Sequence, residues 1–139
     1  MDQVIKKKIL IADDEAMVRR VVRKMLSKNY IVLEAEDGEE AVNMARNQQP
    51  ALVLMDIMMP KMDGLTACYA IKMGEATRTI PVIMLTAIGH ELNKKLSEEV
   101  MGADEYITKP FGSRDLLDTV NRLLSSSINS KGDSDNESS

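Results

Sequence analysis

Five short apolar segments, separated by longer segments with helical spacing, are the feature that most constrains the fold of this chain. Each apolar segment is continuously hydrophobic rather than alternating, which is typical of strands in a parallel sheet covered on both faces. The segments are Ile9–Ala12, Ile31–Leu33, Ala51–Met55, Val82–Leu85 and the weaker pair Tyr106–Ile107. A chain that alternates strand and helix in this way predicts a doubly wound α/β domain with a five-stranded parallel sheet.

The segments between the strands carry apolar stripes at the spacing of an amphipathic helix. The stripes are formed by Val18, Val21, Val22 and Met25, by Leu92, Leu96 and Val100, and by Leu116, Leu117, Val120, Leu123 and Leu124. Two more helices are predicted, from about Glu39 to Arg46 and from about Leu65 to Lys72. In the first helix, Arg19, Arg20, Arg23 and Lys24 fall largely on the face opposite the apolar stripe, which predicts that they face solvent.

The length of 139 residues and the hydrophobic content of 44% predict one domain with its own core. This domain is expected to span residues 1–124. Residues 125–139 are polar and poor in apolar side chains, which predicts a disordered tail or the remnant of a linker. No apolar run approaches the roughly 20 residues of a membrane span, and the amino terminus lacks a signal-peptide pattern, so a cytoplasmic location is expected.

The charge and the rare residues limit the chemistry that is open to the chain. A net charge of −4 provides no global basic field for nucleic acid or acidic lipid. A single cysteine, Cys68, and a single histidine, His90, cannot form a cluster of the kind that binds zinc. Cys68 is therefore predicted to be a small buried hydrophobe, and any chemistry is expected to depend on carboxylates.

Charged and polar side chains stand at the ends of four apolar segments. Asp13 and Asp14 follow the first segment, Asp56 follows the third, Thr86 the fourth and Lys109 the fifth. Because ligands bind at the carboxyl ends of strands in open α/β sheets, these side chains are expected to converge. Carboxylates about 4 Å apart repel by about 4 kcal/mol at an effective dielectric constant of about 20. Oxygen ligands without histidine or thiolate favour a hard divalent cation, Mg²⁺ or Mn²⁺, as the counter-charge.

Such a site is suited to phosphoryl chemistry. A carboxylate held beside the metal can act as a nucleophile and form an aspartyl phosphate. In this interpretation Lys109 neutralises charge on the phosphoryl oxygens, and Thr86 donates a hydrogen bond to one of them.

The sequence resembles the receiver domain of the response regulators of two-component systems, close in size to the stand-alone chemotaxis-type members. The resemblance covers roughly residues 6–124. It is carried by Ile9 to Glu15, Leu54 to Gly64, Pro81 to Ala87, Gly102 to Asp104 and Tyr106 to Phe111. It implies a flavodoxin-like sheet with strand order 2-1-3-4-5 flanked by five helices. It also implies a cis peptide bond between Lys109 and Pro110, since cis bonds are almost confined to proline.

The resemblance also implies which residues form the site. Asp56 matches the phosphoacceptor of the family. Asp13 and Asp14 match its acidic metal-binding pair, and Met58 matches the residue whose backbone carbonyl binds the metal. The implied cofactor is Mg²⁺, with Mn²⁺ as a substitute, and no organic cofactor is implied.

The implied function is a phosphorelay switch rather than an enzyme with a separate substrate. Thr86 and Lys109 match the phosphate-responsive pair, and Tyr106 matches the aromatic switch position whose ring moves with Thr86. The phosphoryl donor is expected to be a sensor histidine kinase or a histidine phosphotransfer protein, and the target a downstream protein. Direct contact with nucleic acid or membrane is not expected, and the chain is expected to be a monomer or a phosphorylation-induced dimer.

Two positions depart from family members that lose their phosphoryl group quickly. The residues two past the phosphoacceptor and two past the threonine are Met58 and Ile88. Neither side chain can orient an attacking water by hydrogen bonding. The sequence therefore predicts slow self-dephosphorylation.

Other interpretations remain open at this stage. A dehalogenase-type phosphohydrolase also uses an aspartate nucleophile at a strand end, but it resembles Asp-x-Asp there, whereas this chain has Asp56-Ile57-Met58. A third hypothesis is a receiver that binds partners without phosphate. Asp13 or Asp14 can also be the N-cap of a helix that begins near Glu15.

A purely structural role is also open for one tyrosine and two methionines. Tyr106 can be a half-buried aromatic at the edge of the sheet rather than a moving switch. Met17 and Met62 lie near the acidic residues in sequence and can form an apolar docking patch, although semi-exposed packing explains them as well.

Overall fold

The computed structural model describes residues 5–87 and 102–138, with side chains described as far as Ser125. Its elements are β1 (Lys8–Ala12), α1 (Ala16–Leu26), β2 (Ile31–Ala35), α2 (Gly38–Gln48), β3 (Leu52–Asp56), α3 (Gly64–Met73), β4 (Val82–Ala87), β5 (Glu105–Lys109) and α4 (Ser113–Ser138). Every predicted strand is present. The helix predicted around Leu92 to Val100 lies outside the described residues.

The five strands are parallel and form one sheet in the order β2-β1-β3-β4-β5. This confirms the doubly wound, flavodoxin-like fold. The register pairs Ala12 of β1 with Met55 of β3, and Asp56 of β3 with Leu85 of β4. The carboxyl ends of β1, β3 and β4 therefore lie side by side at one edge of the sheet. Within the described ranges, no helix is both long enough and apolar enough to cross a membrane.

The two faces of the sheet bury separate apolar clusters. Leu10, Met55 and Met84 point into a cluster that α2 and α3 cover, and Cys68 belongs to it. Ile11, Leu54 and Leu85 alternate with them and point into the cluster covered by α1 and α4. Continuous apolar strands are required by this arrangement because both faces of the sheet are dry. The prediction that Cys68 is a buried hydrophobe is confirmed, and burial raises the pKa of its thiol to about 12.

Two glycines allow the loop between β3 and α3 to pack closely against its surroundings. The Gly64 amide donates to the Ile57 carbonyl at 2.8 Å, and a Cβ at Gly64 would lie 2.0 Å from the Asp56 carbonyl oxygen. The Gly38 amide donates to the Met62 carbonyl at 3.0 Å, where a Cβ would lie 2.1 Å from the same oxygen. Any side chain at these positions would displace the loop that follows Asp56.

Helix α4 continues to Ser138, across the segment 125–139 for which a disordered tail was predicted. The prediction of a disordered tail or linker remnant at 125–139 and the division of the chain at residue 124 both stay predictions.

Candidate functional site

Three carboxylates meet at the carboxyl edge of the sheet. Asp13 and Asp14 follow β1, and Asp56 is the last residue of β3. One carboxylate oxygen from each residue lies within 4.8 Å of the others. Asp13 is fully buried and Asp56 is 7% exposed, whereas Asp14 is exposed to solvent. The convergence that the strand ends predicted is therefore present.

Lys109, the last residue of β5, lies between the two buried carboxylates. Its Nζ donates to Asp13 Oδ2 at 3.0 Å and to Asp56 Oδ1 at 2.9 Å. Burial alone would lower the pKa of Lys109, but its hydrogen bonds with Asp56 and Asp13 outweigh that effect, so the pKa is raised. The ammonium group therefore remains charged and faces the carboxylate that was predicted to be the nucleophile.

The electrostatic environment of Asp56 is unfavourable to its charge. Burial raises its pKa from 3.8 to about 6, and repulsion from Asp13 and Asp14 adds to the increase. The hydrogen bond and charge of Lys109 oppose the increase without cancelling it. One lysine thus leaves the three carboxylates under-compensated, which is the condition that a bound divalent cation relieves.

A cleft of about 500 Å³ opens above the carboxylates. It is lined by Asp14, Glu15, Asp56, Ile57, Met58, Leu85, Ala87 and Lys109. The cleft is large enough for a hydrated ion together with a phosphoryl group. Hard oxygen donors from three carboxylates, with room for water, match the preference of Mg²⁺ for a few carboxylates plus water and phosphate oxygens. The donor set therefore fits this ion.

The two predicted switch residues, Thr86 and Tyr106, are not among the residues that line the cleft. Thr86 is buried in β4, one residue past the strand partner of Asp56, and its hydroxyl donates to the Ala87 carbonyl at 3.3 Å. Tyr106 is half-buried in β5, pairs with Met84 and packs against the cluster under α2 and α3. The cis peptide bond between Lys109 and Pro110 is present, as the resemblance implied.

One of the alternative interpretations, the N-cap role of Asp13 or Asp14, is wrong. The N-cap of α1 is Glu15, so neither Asp13 nor Asp14 caps that helix. Asp13 instead accepts the Glu15 amide at 2.9 Å, which turns its carboxylate toward Lys109. Met62 is partly buried against the cluster that α2 and α3 cover, whereas Met17 is exposed on α1. The docking patch proposed for these two methionines stays a prediction.

Among the described residues, Arg19 contacts the acidic loop although its sequence pattern did not predict this. Its place in the helical pattern predicted a solvent-facing side chain, yet the side chain is only 12% exposed. It donates to the Asp13 carbonyl at 2.7 Å and to Glu34 at 2.9 Å. Helical periodicity could not reveal this position, because it distinguishes a helix's core face from its outer face but does not locate a neighbouring strand.

The fold and the carboxylate cluster define a doubly wound α/β protein with an acidic site at the carboxyl edge of its sheet. The family model of the response regulator receiver domain matches residues 9–121, and the chain belongs to this family. Its members are the regulated components of two-component phosphorelays. The match supports a receiver over the dehalogenase-type phosphohydrolase considered from the sequence.

Individual relatives agree with this assignment. The transcriptional regulatory protein ResD of Bacillus subtilis is 44% identical over 125 residues, which are 89% of this chain and 50% of ResD. The chain spans about half the length of the curated relatives it matches.

Solved receivers superpose closely. The receiver domain of a signal transduction histidine kinase from Syntrophus aciditrophicus has a TM-score of 0.80 and 36% identity, over 86% of this chain and 91% of that one. The receiver domain of the sensor histidine kinase PA1611 from Pseudomonas aeruginosa also has a TM-score of 0.80, with 30% identity over 87% of this chain and 99% of that one. The latter structure has a magnesium ion coordinated in its active-site cleft.

Proposed function

We propose that the chain is a phosphorylation switch in which Asp56 accepts a phosphoryl group and Asp13, Asp14 and Asp56 hold Mg²⁺. The observation that carries the proposal is the buried Asp56 carboxylate, which lies 2.9 Å from the Lys109 ammonium and beside two further carboxylates. The backbone carbonyl of Met58, in the loop after β3, completes the proposed metal ligands. Mn²⁺ is expected to substitute, because it also prefers oxygen ligands.

The transfer step exchanges one bond to phosphorus for another. An Asp56 oxygen attacks the phosphorus of a phosphohistidine, the new P–O bond forms, and the P–N bond breaks with its electron pair going to the imidazole nitrogen. Bound Mg²⁺ would supply charge stabilisation for the phosphoryl oxygens. Lys109 stabilises the same oxygens from the β5 side, and the buried position of Asp56 restricts competing water.

The switch proposal follows from a change in the contacts of Lys109, which pairs with the Asp56 carboxylate in the unphosphorylated chain. Once Asp56 carries a phosphoryl group, its charge and acceptor oxygens attract Lys109 and the hydroxyl of Thr86. Movement of Thr86 changes the space behind it, and Tyr106 reorients in response. The surface around β5 and α4 then differs between the two states, and a downstream protein that binds one state better shifts the population.

The donor in this proposal is a sensor histidine kinase or a histidine phosphotransfer protein, and a cytoplasmic location is part of the same proposal. We also propose that phosphorylation promotes dimerisation through the surface around β5 and α4. A second candidate function, hydrolysis of small phosphomonoesters, predicts repeated turnover, whereas the switch predicts one phosphoryl group per chain.

The proposed function is tested by intact mass spectrometry. Acetyl phosphate or phosphoramidate with Mg²⁺ is expected to add a single phosphoryl group, and tryptic mapping is expected to place it on the peptide containing Asp56. Chelation of the metal with EDTA is expected to prevent the addition. If neither an adduct nor binding of beryllofluoride is observed, the chain is a phosphate-independent binding module instead.

The lifetime of the phosphoryl group gives a separate prediction. Met58 lines the cleft with an exposed side chain that cannot orient water by hydrogen bonding, so we expect a half-life of minutes or longer. Met58→Asn introduces an amide that can do so, and one such hydrogen bond is expected to shorten the half-life roughly fivefold. Decay is followed by the mass of the adduct after removal of the donor. A wild-type half-life of a few seconds would contradict this expectation.

A further inference from the structure

Arg19 connects the loop that carries two carboxylates to the edge strand of the sheet. Its Nη1 donates to the Asp13 carbonyl at 2.7 Å, and its Nε donates to Glu34 of β2 at 2.9 Å. The guanidinium is planar, so the two N–H directions are fixed relative to each other. The Arg19 side chain therefore holds the loop at a set distance from β2.

The carbonyl that Arg19 holds belongs to the peptide that joins Asp13 to Asp14. On the other side of Asp13, its amide donates to the Ala35 carbonyl of β2 at 3.1 Å. Because each peptide unit is planar, holding this carbonyl limits where the Cα atoms of Asp13 and Asp14 can lie. Asp13 is therefore connected to β2 twice, directly through its amide and indirectly through Arg19 and Glu34.

Glu34 keeps Arg19 aimed at the loop. It is shared with Arg23, whose Nε donates to Glu34 Oε2 at 2.8 Å and whose Nη2 donates to the Val32 carbonyl at 3.0 Å. Hydrogen bonds from Arg23 and Arg19 lower the pKa of Glu34, and burial opposes them only in part. Arg23 is 45% exposed, and its hydrogen bonds with Glu34 and Val32 lead to β2 rather than to the acidic loop.

We propose that Arg19, oriented by Glu34, is a positioning residue that holds the acidic loop ready for metal binding. The inference rests on the proposed metal site of Asp13, Asp14 and Asp56. Without a cation the three carboxylates repel one another, which favours opening of the exposed end of the loop. A loop that is held in place loses less conformational freedom when the cation binds, so the anchor strengthens binding without touching the ion.

The test compares Arg19→Gln with Arg23→Gln in the full chain, since both variants remove one partner of Glu34 and only the first removes the bond to the loop. Isothermal titration calorimetry with Mg²⁺ on the unphosphorylated protein is expected to show about tenfold weaker binding for Arg19→Gln. Arg23→Gln is expected to bind within about twofold of the wild type, as no bond to the loop is lost. Hydrogen exchange of the metal-free protein is expected to be faster at Asp14 and Glu15 in Arg19→Gln alone.

Two further readouts separate positioning from a general loss of structure. At saturating Mg²⁺ the rate of phosphoryl labelling of Arg19→Gln is expected to return close to that of the wild type. If Arg19→Gln does not fold, Glu34→Gln leaves the arginine in place without its orienting charge, and it is expected to weaken Mg²⁺ binding about threefold.

Equal Mg²⁺ affinities for the wild type and the Arg19 variant would overturn this inference alone. Equal losses in the Arg19 and Arg23 variants would also overturn it, because the effect would then come from Glu34 pairing in general. A wild-type chain that does not bind Mg²⁺ would overturn the proposed metal site and this inference with it.

Discussion

Asp56→Asn is expected to reduce phosphoryl labelling to background while leaving the fold intact. The amide of asparagine is nearly the same shape as the carboxylate, but it is not a nucleophile for phosphorus under these conditions. The matched control is Asp63→Asn in the same β3–α3 segment. Asp63 caps α3 by accepting the Thr66 amide at 2.8 Å, and asparagine caps helices about as well, so labelling is expected to be unchanged. Labelling that persists in Asp56→Asn would place the phosphoacceptor elsewhere.

The same substitution is expected to stabilise the metal-free protein. A pKa raised from 3.8 to about 6 corresponds to a cost of about 3 kcal/mol for holding Asp56 ionised in the folded state. Asparagine resembles the neutral carboxyl group and removes this cost, and the opposing effect of Lys109 is already contained in the pKa shift, so we expect a gain of about 3 kcal/mol at about pH 7.5. The measurement is the free energy of unfolding from urea denaturation in EDTA.

The pH dependence of that gain follows from the direction of the pKa shift. Above about pH 6 Asp56 is ionised in both the folded and unfolded states, and its full cost is present. Between about pH 6 and pH 4 the folded state takes up a proton that the unfolded state does not, so the wild type recovers stability as the pH falls. The difference between the two proteins is therefore expected to vanish near pH 4. A constant difference across this range would show that burial of charge is not its cause.

Lys109→Met is expected to lower the free energy of unfolding of the metal-free protein by about 3 kcal/mol at about pH 7.5. Among the residues that the structure describes, Lys109 is the cation paired with the buried carboxylates of Asp13 and Asp56. Methionine keeps much of the alkyl stem but leaves both carboxylates without a counter-charge.

Magnesium is expected to reverse part of this loss. A concentration about a hundredfold above the Kd adds about 2.7 kcal/mol to any folded state that binds the ion. The variant is expected to bind Mg²⁺ more tightly than the wild type, since the competing ammonium is gone. Urea denaturation with and without Mg²⁺ measures both effects.

The control for this variant is Lys61→Met. Lys61 is 68% exposed and lies 3.7 Å from Asp37, so its loss is expected to change stability by less than about 0.5 kcal/mol. A similar loss of stability in the two lysine variants would show that charge removal in general, and not the buried pairing at Asp13 and Asp56, explains the result.

The strands and the sheet were the most predictable part of this protein. Continuous apolar segments such as Ala51–Met55 require cover on both faces, and the alternation with helices leaves few topologies. The site residues were predictable for a related reason, because parallel strands place all their carboxyl ends at one edge. Asp13, Asp56 and Lys109 were identified from that position and from the resemblance of their motifs.

Long-range hydrogen bonds were not predictable in the same way. Arg19 was expected to face solvent, because the pattern of α1 contains no information about the position of Glu34 or of the Asp13 carbonyl. The N-cap alternative for Asp13 failed for a similar reason. The residues next to Asp13 in the sequence do not show that its carboxylate accepts hydrogen bonds from both the Glu15 amide and Lys109.

By itself the sequence determined which chemical groups stand at the end of each strand and which side chains are apolar enough to be buried. Only the tertiary structure decided which of those groups touch. Lys109 is 96 residues from Asp13 and 53 from Asp56, yet one ammonium lies within 3.0 Å of both carboxylates. The physical reason is that burial depends on the composition of each segment, whereas a hydrogen bond depends on distances and angles that the packed sheet alone sets.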